Sequence, residues 1–209
     1  MNKTKISHFK DYNDKDFENL LNIETIPFVS TFSNHHANRY EPTVYQDLIS
    51  LIEQTYMDFH SDSHFIDFGS GLMRVPILFN HLLNISVTGI ELNKQLYLLG
   101  LKNIKNYQLL HHPSSIHTLN INAIHYQFQG NETHLFFFNP FSVFVFQKVM
   151  ENLMTTDILQ CDIILYYVKP EYEMYLSECI QFKLKYSILL DNESIDSSEK
   201  INIYQYTKT

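Results

Sequence analysis

The chain has 209 residues, 44% of them hydrophobic with 16 Phe and 14 Tyr, and a formal charge of −8 from 15 Lys plus Arg against 23 Asp plus Glu. That length fits one large domain with ample apolar area for an unaided core, and two cysteines, Cys161 and Cys179, provide neither a zinc spacing nor a disulfide framework. Scattered acid and only two arginines, Arg39 and Arg74, argue against duplex nucleic acid as partner, and a polar N-terminus without a signal-length or membrane-length apolar run points to a cytoplasmic protein.

The first periodic segment covers residues 43–56, where Val44, Leu48, Leu51, Ile52 and Thr55 fall at helical spacing, and Thr43 with Gln46 makes a capping-box pattern after Pro42. His64–Phe68 is a short apolar run that stops at Gly69-Ser70-Gly71. A helix follows through Val75, Leu78, Phe79 and Leu82, with Pro76 tolerated in its first turn. Ser86–Ile90 is rich in strand formers and ends at Glu91, after which Asn93 can cap a helix bearing Leu96, Leu99 and Ile104.

Residues 116–123 and His134–Phe138 give two more strands. Phe146, Val149, Met150 and Leu153 mark the next helix, residues 162–168 a fifth strand, and Tyr172, Tyr175, Leu176 and Cys179 one stripe of a helix after Pro170. Residues 182–190 and 201–206 then form two strands joined by a polar loop too short for a crossover helix, so they should pair antiparallel. The expected fold is α/β: a mostly parallel, Rossmann-like seven-stranded sheet with helices on both faces and a C-terminal antiparallel hairpin.

In such a sheet ligands bind at the carboxyl ends of the strands, where strand order reverses. Asp67-Phe68-Gly69-Ser70-Gly71 places small residues at one strand end. Glu91 lies at the next, 24 residues beyond Asp67, a distance that suits an acid holding both hydroxyls of a ribose. Together they describe an adenosine site. A dinucleotide fingerprint would need a third Gly where Arg74 stands, which argues against NAD. Asn122, at the third strand end, can offer its amide to an adenine edge or simply make a polar turn.

The fourth strand, Leu135-Phe136-Phe137-Phe138, runs into Asn139-Pro140-Phe141-Ser142. The Asn139 side-chain carbonyl and the Pro140 backbone carbonyl can accept hydrogen bonds from an amine, and Phe141 can pack on a flat substrate. Equally, Pro140 can punctuate a turn and Phe141 can be core. Tyr166 or Tyr167, at the end of the fifth strand, is a candidate substrate wall. His111-His112 and His35-His36 have no carboxylate or Cys at ligand spacing, so no metal is expected; His35 or His36 is the better candidate for an acceptor-side base.

His35-His36 through Arg39-Tyr40-Glu41-Pro42-Thr43, Asp67-Phe68-Gly69-Ser70-Gly71, Gly89-Ile90-Glu91 and Phe136-Phe137-Phe138-Asn139-Pro140-Phe141-Ser142 resemble, in order and spacing, a family of largely uncharacterised bacterial class I S-adenosylmethionine-dependent methyltransferases. The resemblance covers roughly residues 30 to 170. It implies S-adenosyl-L-methionine as cofactor, with Asp67, Gly69 and Gly71 at its methionine end and Glu91 and Leu92 at the ribose. Asn139, Pro140 and Phe141 would form a catalytic loop similar to the Asn-Pro-Pro-aromatic loop of amino-methyltransferases, with one Pro, and Asn122 and Ala123 at the third strand end are further candidate cofactor-binding residues. Tyr40 and Thr43 match an upstream cofactor-contacting segment, so residues 1–42 are expected to be an N-terminal segment or lid on a domain spanning 43–209.

The leading expectation is methyl transfer to a nitrogen on a protein or small-molecule acceptor. Where the family has Lys-Gly-Arg after the second Gly, this chain has Leu72-Met73-Arg74, and Val44 replaces a Pro. A Met73 side chain directed into the cofactor hollow would fill it, which motivates a second reading as a non-catalytic scaffold with an eroded site. A third is an RNA base methyltransferase in which Phe141 stacks on an unpaired base.

Overall fold

The structure, a computed structural model, describes residues 7–26, 40–54, 59–113, 115–190 and 198–209. Seven strands form one sheet: β1 His64–Phe68, β2 Ser86–Ile90, β3 Ile116–Leu119, β4 His134–Phe138, β5 Gln160–Tyr166, β6 Phe182–Leu189 and β7 Lys200–Thr207, in the order β3-β2-β1-β4-β5-β7-β6. Strands β1 to β5 are parallel to one another. β7 runs antiparallel between β5 and β6. The expected α/β architecture, including the closing hairpin, is the observed one.

Both faces of the sheet are covered, which is why its central strands are nearly unbroken apolar runs. Alternation sends Phe65, Val87, Phe136 and Ile164 to one core. Ile66, Phe68, Leu135, Phe137 and Ile163 go to the other. The first core is closed by α1 Asp14–Leu21, α2 Tyr45–Glu53, α3 Arg74–Leu83 and α4 Lys94–Leu110, the second by α5 Val143–Met154 and α6 Pro170–Glu178.

Two local expectations are corrected. The helix over residues 43–56 is α2, and its N-cap is Val44 with no side-chain cap; Gln46 instead donates to the carbonyls of Phe9 and Tyr12, so tertiary partners displace the capping box. Residues 55–58, with Thr55, lie outside the described residues. The third strand stops at Leu119, because Asn120 turns to donate to the carbonyls of Glu91 and Leu92 and residues 123–125 form a 3-10 turn.

The polar N-terminal stretch also contains a helix that periodicity did not reveal. Asn13 accepts from the amides of Lys15 and Asp16 while Asp16 accepts from the Asn13 amide, a full capping box, and Phe17 and Leu21 are completely buried in the first core. Elsewhere the local signals hold: Asn93 caps α4 through the amides of Gln95 and Leu96, and Pro76 lies in the first turn of α3.

Candidate functional site

The chain moves from β1 outward to β2 and β3 and then returns to β4 on the other side of β1, so the strand order reverses between β1 and β4. The loops after these strands diverge there. They enclose a cavity of 490 Å³, within the ordinary range for small-molecule sites, about 300–1,000 Å³.

The β1 loop crosses over the end of β2. The amides of Gly69 and Ser70 both donate to the Ile90 carbonyl, at 2.8 and 3.1 Å. Glu91 then reaches back: one carboxylate oxygen accepts from the Gly71 amide at 2.8 Å and the other from the Asn93 amide at 2.7 Å. Glu91 lines the cavity at 8% exposure, and a carboxylate has about four acceptor positions, of which these bonds use two. Its acidity is weakened by burial, an effect those backbone donors oppose. Asp67 lines the same hollow, its carboxyl pushed well above the usual range by burial and then by the charge of Glu91.

Both loop glycines serve close packing. Gly69 and Gly71 have φ of 89° and 50°, and a β-carbon on either would lie 2.4 Å from its neighbour, Pro140 in the first case and the Tyr40 ring in the second. Tyr40 is thereby laid across the glycine turn as a wall of the cavity, its hydroxyl directed at the Thr25 carbonyl. Met73, with φ of 69°, is fully buried and does not line the cavity; its side chain packs against Gly89 of β2 and Gly100 of α4. Gly89 and Gly100 leave the space that the thioether occupies.

Arg74 is the residue whose importance the sequence concealed. Its guanidinium, 2% exposed, donates to the Thr25 hydroxyl, the Thr43 carbonyl, Asp14 and Glu18, and stands 4.3 Å over the Tyr45 ring. One side chain thus joins the first turn of α3 to α1, to the approach to α2 and to the residues flanking Tyr40. Arg74 after the glycine turn and the Asn-x-x-Asp pattern at residues 13–16 were the available signals, but nothing in one dimension pairs positions 74 and 14.

Leu92, Ile121, Asn122 and Ala123 line the β2 and β3 side of the cavity with Ile90. Asn122 spends its side-chain carbonyl on the Ile124 amide. At the β4 end, Asn139 adopts a left-handed conformation with φ of 48°, and Asn139, Pro140 and Phe141 all line the cavity. Phe141 is 6% exposed, with its ring edge-on to Phe137 in the second core and its carbonyl accepting from the Tyr172 hydroxyl at 2.7 Å and from Lys169 Nζ at 3.2 Å. The two tyrosines ending β5 part company: Tyr166 is buried and donates to Asp47, whereas Tyr167, with φ of 56°, lines the cavity. Tyr40, Thr43, Asp67, Gly69, Glu91, Leu92, Asn122, Ala123 and the residues 139–141 therefore converge on one hollow, with Gly71 just behind it.

His111 is occupied with the Leu20 carbonyl and stacks on Tyr107, away from this hollow, and among the described residues no cluster of three His, Cys, Asp or Glu is placed to hold a metal. His35, His36 and Arg39 lie outside the described residues. No described helix is long and apolar enough to cross a membrane.

No protein-family profile matches the chain, and no curated protein matches it in sequence. Solved structures do match in shape. An RNA methyltransferase from Salinibacter ruber, solved in complex with S-adenosyl-L-homocysteine, superposes with a TM-score of 0.57 at 16% identity, over 80% of this chain and 93% of that one. A SAM-dependent methyltransferase from Methanosarcina mazei gives 0.57 at 13% identity over 75% and 96%. An rRNA methylase from Streptococcus thermophilus gives 0.51 at 9% identity over 71% and 89%. At such identities the likeness concerns the fold, which is the Rossmann-like fold of these methyltransferases.

Proposed function

We propose that the chain is an S-adenosylmethionine-dependent methyltransferase that methylates a nitrogen on a small-molecule or protein acceptor, with Tyr40 of the N-terminal segment closing over the site. The observation that carries this reading is Glu91, anchored by the Gly71 and Asn93 amides on the wall of the cavity, a carboxylate held where it can accept from ribose hydroxyls. The donor set suits the cofactor. Asp67 lies at the methionine end, Ile90, Leu92, Ile121 and Ala123 offer an apolar slot for the adenine, and Tyr40 with Thr43 closes the outer side. The scaffold reading required Met73 to fill this hollow, and its side chain is packed between β2 and α4 instead.

S-adenosylmethionine supplies a methyl group on a sulfonium, and what the protein must add is alignment and exclusion of water. Asn139 and Pro140 are suited to alignment. Pro140 is wedged against Gly69, and Tyr172 and Lys169 hold the carbonyl of Phe141, so the loop is braced on both sides. The Asn139 amide and the Pro140 carbonyl then accept from an amine and keep its lone pair directed along the line of transfer. The overall charge of −8 suits a small or basic acceptor better than a polyanion such as RNA.

Calorimetry with S-adenosylmethionine and S-adenosylhomocysteine tests the proposal. Micromolar binding is expected, with Glu91→Ala weakening it about tenfold or more and Asn139→Ala leaving it intact. Absence of heat at millimolar ligand would end the reading.

A further inference from the structure

Four lysines among the described residues are partly buried: Lys148, Lys169, Lys185 and Lys200. Three of them hold a carboxylate, Lys148 with Glu151, Lys185 with Asp162 and Lys200 with Glu173. Lys169 forms no ion pair among the described residues, yet it lines the cavity. Its Nζ donates to one neutral group, the Phe141 carbonyl, and an ammonium has three donors. Burial favours its uncharged form and lowers its pKa, an effect that the charge of Glu171 opposes and does not cancel, and the Tyr172 ring centre lies 5.8 Å from Nζ, but among the described residues the cation has no carboxylate in contact as a partner. An anion supplied from the cavity would be that partner.

The neighbouring backbone points the same way. Tyr167 takes a left-handed conformation that costs an aromatic residue about 1–2 kcal/mol. The turn places Tyr167 beside Phe138, ring centres 5.6 Å apart and tilted by 39°, so that the two make one aromatic wall of the cavity next to Lys169. The β4 strand ends in a second left-handed residue, Asn139, which carries the amide to the same place. An aromatic wall, a cation and an amide lining the same cavity form a recognition set.

We infer that the acceptor is a flat small molecule bearing a carboxylate or phosphate, whose ring lies against Tyr167 and Phe138 and whose anion binds Lys169. The inference rests on the proposed methyltransferase reading for the role of this end of the cavity as the acceptor end. One cation suits one anionic substituent, whereas a nucleic-acid strand would call for several. Tyr172 serves the loop and not the anion, since its hydroxyl holds the Phe141 carbonyl without charge.

The test is calorimetric titration with 4-aminobenzoate, 4-aminobenzamide and phenyl phosphate, with and without saturating S-adenosylhomocysteine. The benzoate should bind about tenfold tighter than the amide, the difference expected of a charge-assisted hydrogen bond, and phenyl phosphate should compete with it. Lys169→Met should erase the preference and Lys169→Arg should keep it. Tyr172→Phe should also keep it, which separates binding of the anion from support of the loop. Equal affinities for benzoate and amide, a preference that survives Lys169→Met, or tight binding of a single-stranded oligonucleotide in place of the benzoate would each overturn the inference. Loss of S-adenosylhomocysteine binding with the benzoate preference intact would instead strike the methyltransferase reading alone.

Discussion

Pro140 rests on Gly69: a β-carbon at position 69 would lie 2.4 Å from the Pro140 β-carbon. The loop that carries the glycine turn and the loop proposed to position the acceptor are therefore in direct contact, and neither can shift without the other. Their spacing is set by the absence of a single methyl group.

Gly69→Ala should accordingly destabilise the protein by about 1–3 kcal/mol, part of it from the positive φ and part from the clash. Pro140→Gly removes the clashing atoms, so the double variant should recover the steric part but not the conformational part. A double-mutant cycle by urea denaturation measures the coupling. Simple additivity would show that the two loops do not touch.

Arg74→Met should cost about 3–5 kcal/mol, because Glu18, Thr25 and the Thr43 carbonyl lose a shared donor while remaining buried or half-buried. Arg74→Lys should not restore it, since a compact ammonium with three donors cannot span the four partners that the planar guanidinium reaches. Hydrogen exchange should then show α1 losing protection ahead of the sheet. A stability change within 1 kcal/mol, about the value of an exposed ion pair, would contradict the anchoring role.

Met73→Gly tests the placement of that side chain. Removing a fully buried thioether from between Gly89 and Gly100 should destabilise by about 2–4 kcal/mol, offset by about 1 kcal/mol through relief of a left-handed non-glycine residue. Affinity for S-adenosylmethionine should not improve. A gain in affinity would mean that the side chain enters the cavity after all.

Asp67 should impose a pH dependence. Its folded pKa is raised, by burial first and then by Glu91, so its contribution to stability is full below the ordinary carboxylate value near 3.9 and is lost as pH rises through the folded value. Asp67→Asn should therefore melt higher than the unsubstituted protein at pH 7–8, by roughly 2–4 °C per kcal/mol relieved, with the gap narrowing toward pH 4. The same substitution should weaken cofactor binding. A melting temperature unchanged or lowered at pH 8 would place the carboxylate in a better-solvated setting.

Much of the fold was legible because it depends on short-range rules. Runs such as Phe65-Ile66 and Phe136-Phe137 can be buried on both sides only in a covered parallel sheet, and Asn93 before Lys94 caps a helix by its own stereochemistry. The strand, turn and helix around Gly69 and the position of Glu91 followed from the same rules. Helix α1 is hard to read because it has only eight residues, four of them charged, so that Phe17, Leu20 and Leu21 give a single i, i+3, i+4 set, and β3 is shorter than its apolar run because Asn120 turns to partners 28 and 29 positions away.

The sequence by itself determined most of the strands and helices, α1 and the end of β3 excepted, and which strand ends carry small, acidic and amide residues, since backbone geometry and alternation of burial are local properties. Only the tertiary structure decided that Met73 turns from the hollow, that Arg74 ties α3 to α1, that Pro140 and Tyr40 occupy the space left by two glycines, and that Lys169 lines the cavity with no ion pair among the described residues. Those outcomes depend on atoms that are distant along the chain and close in space. A side chain's direction is settled by which neighbours compete for the same volume and charge, and that competition exists only after the sheet has formed.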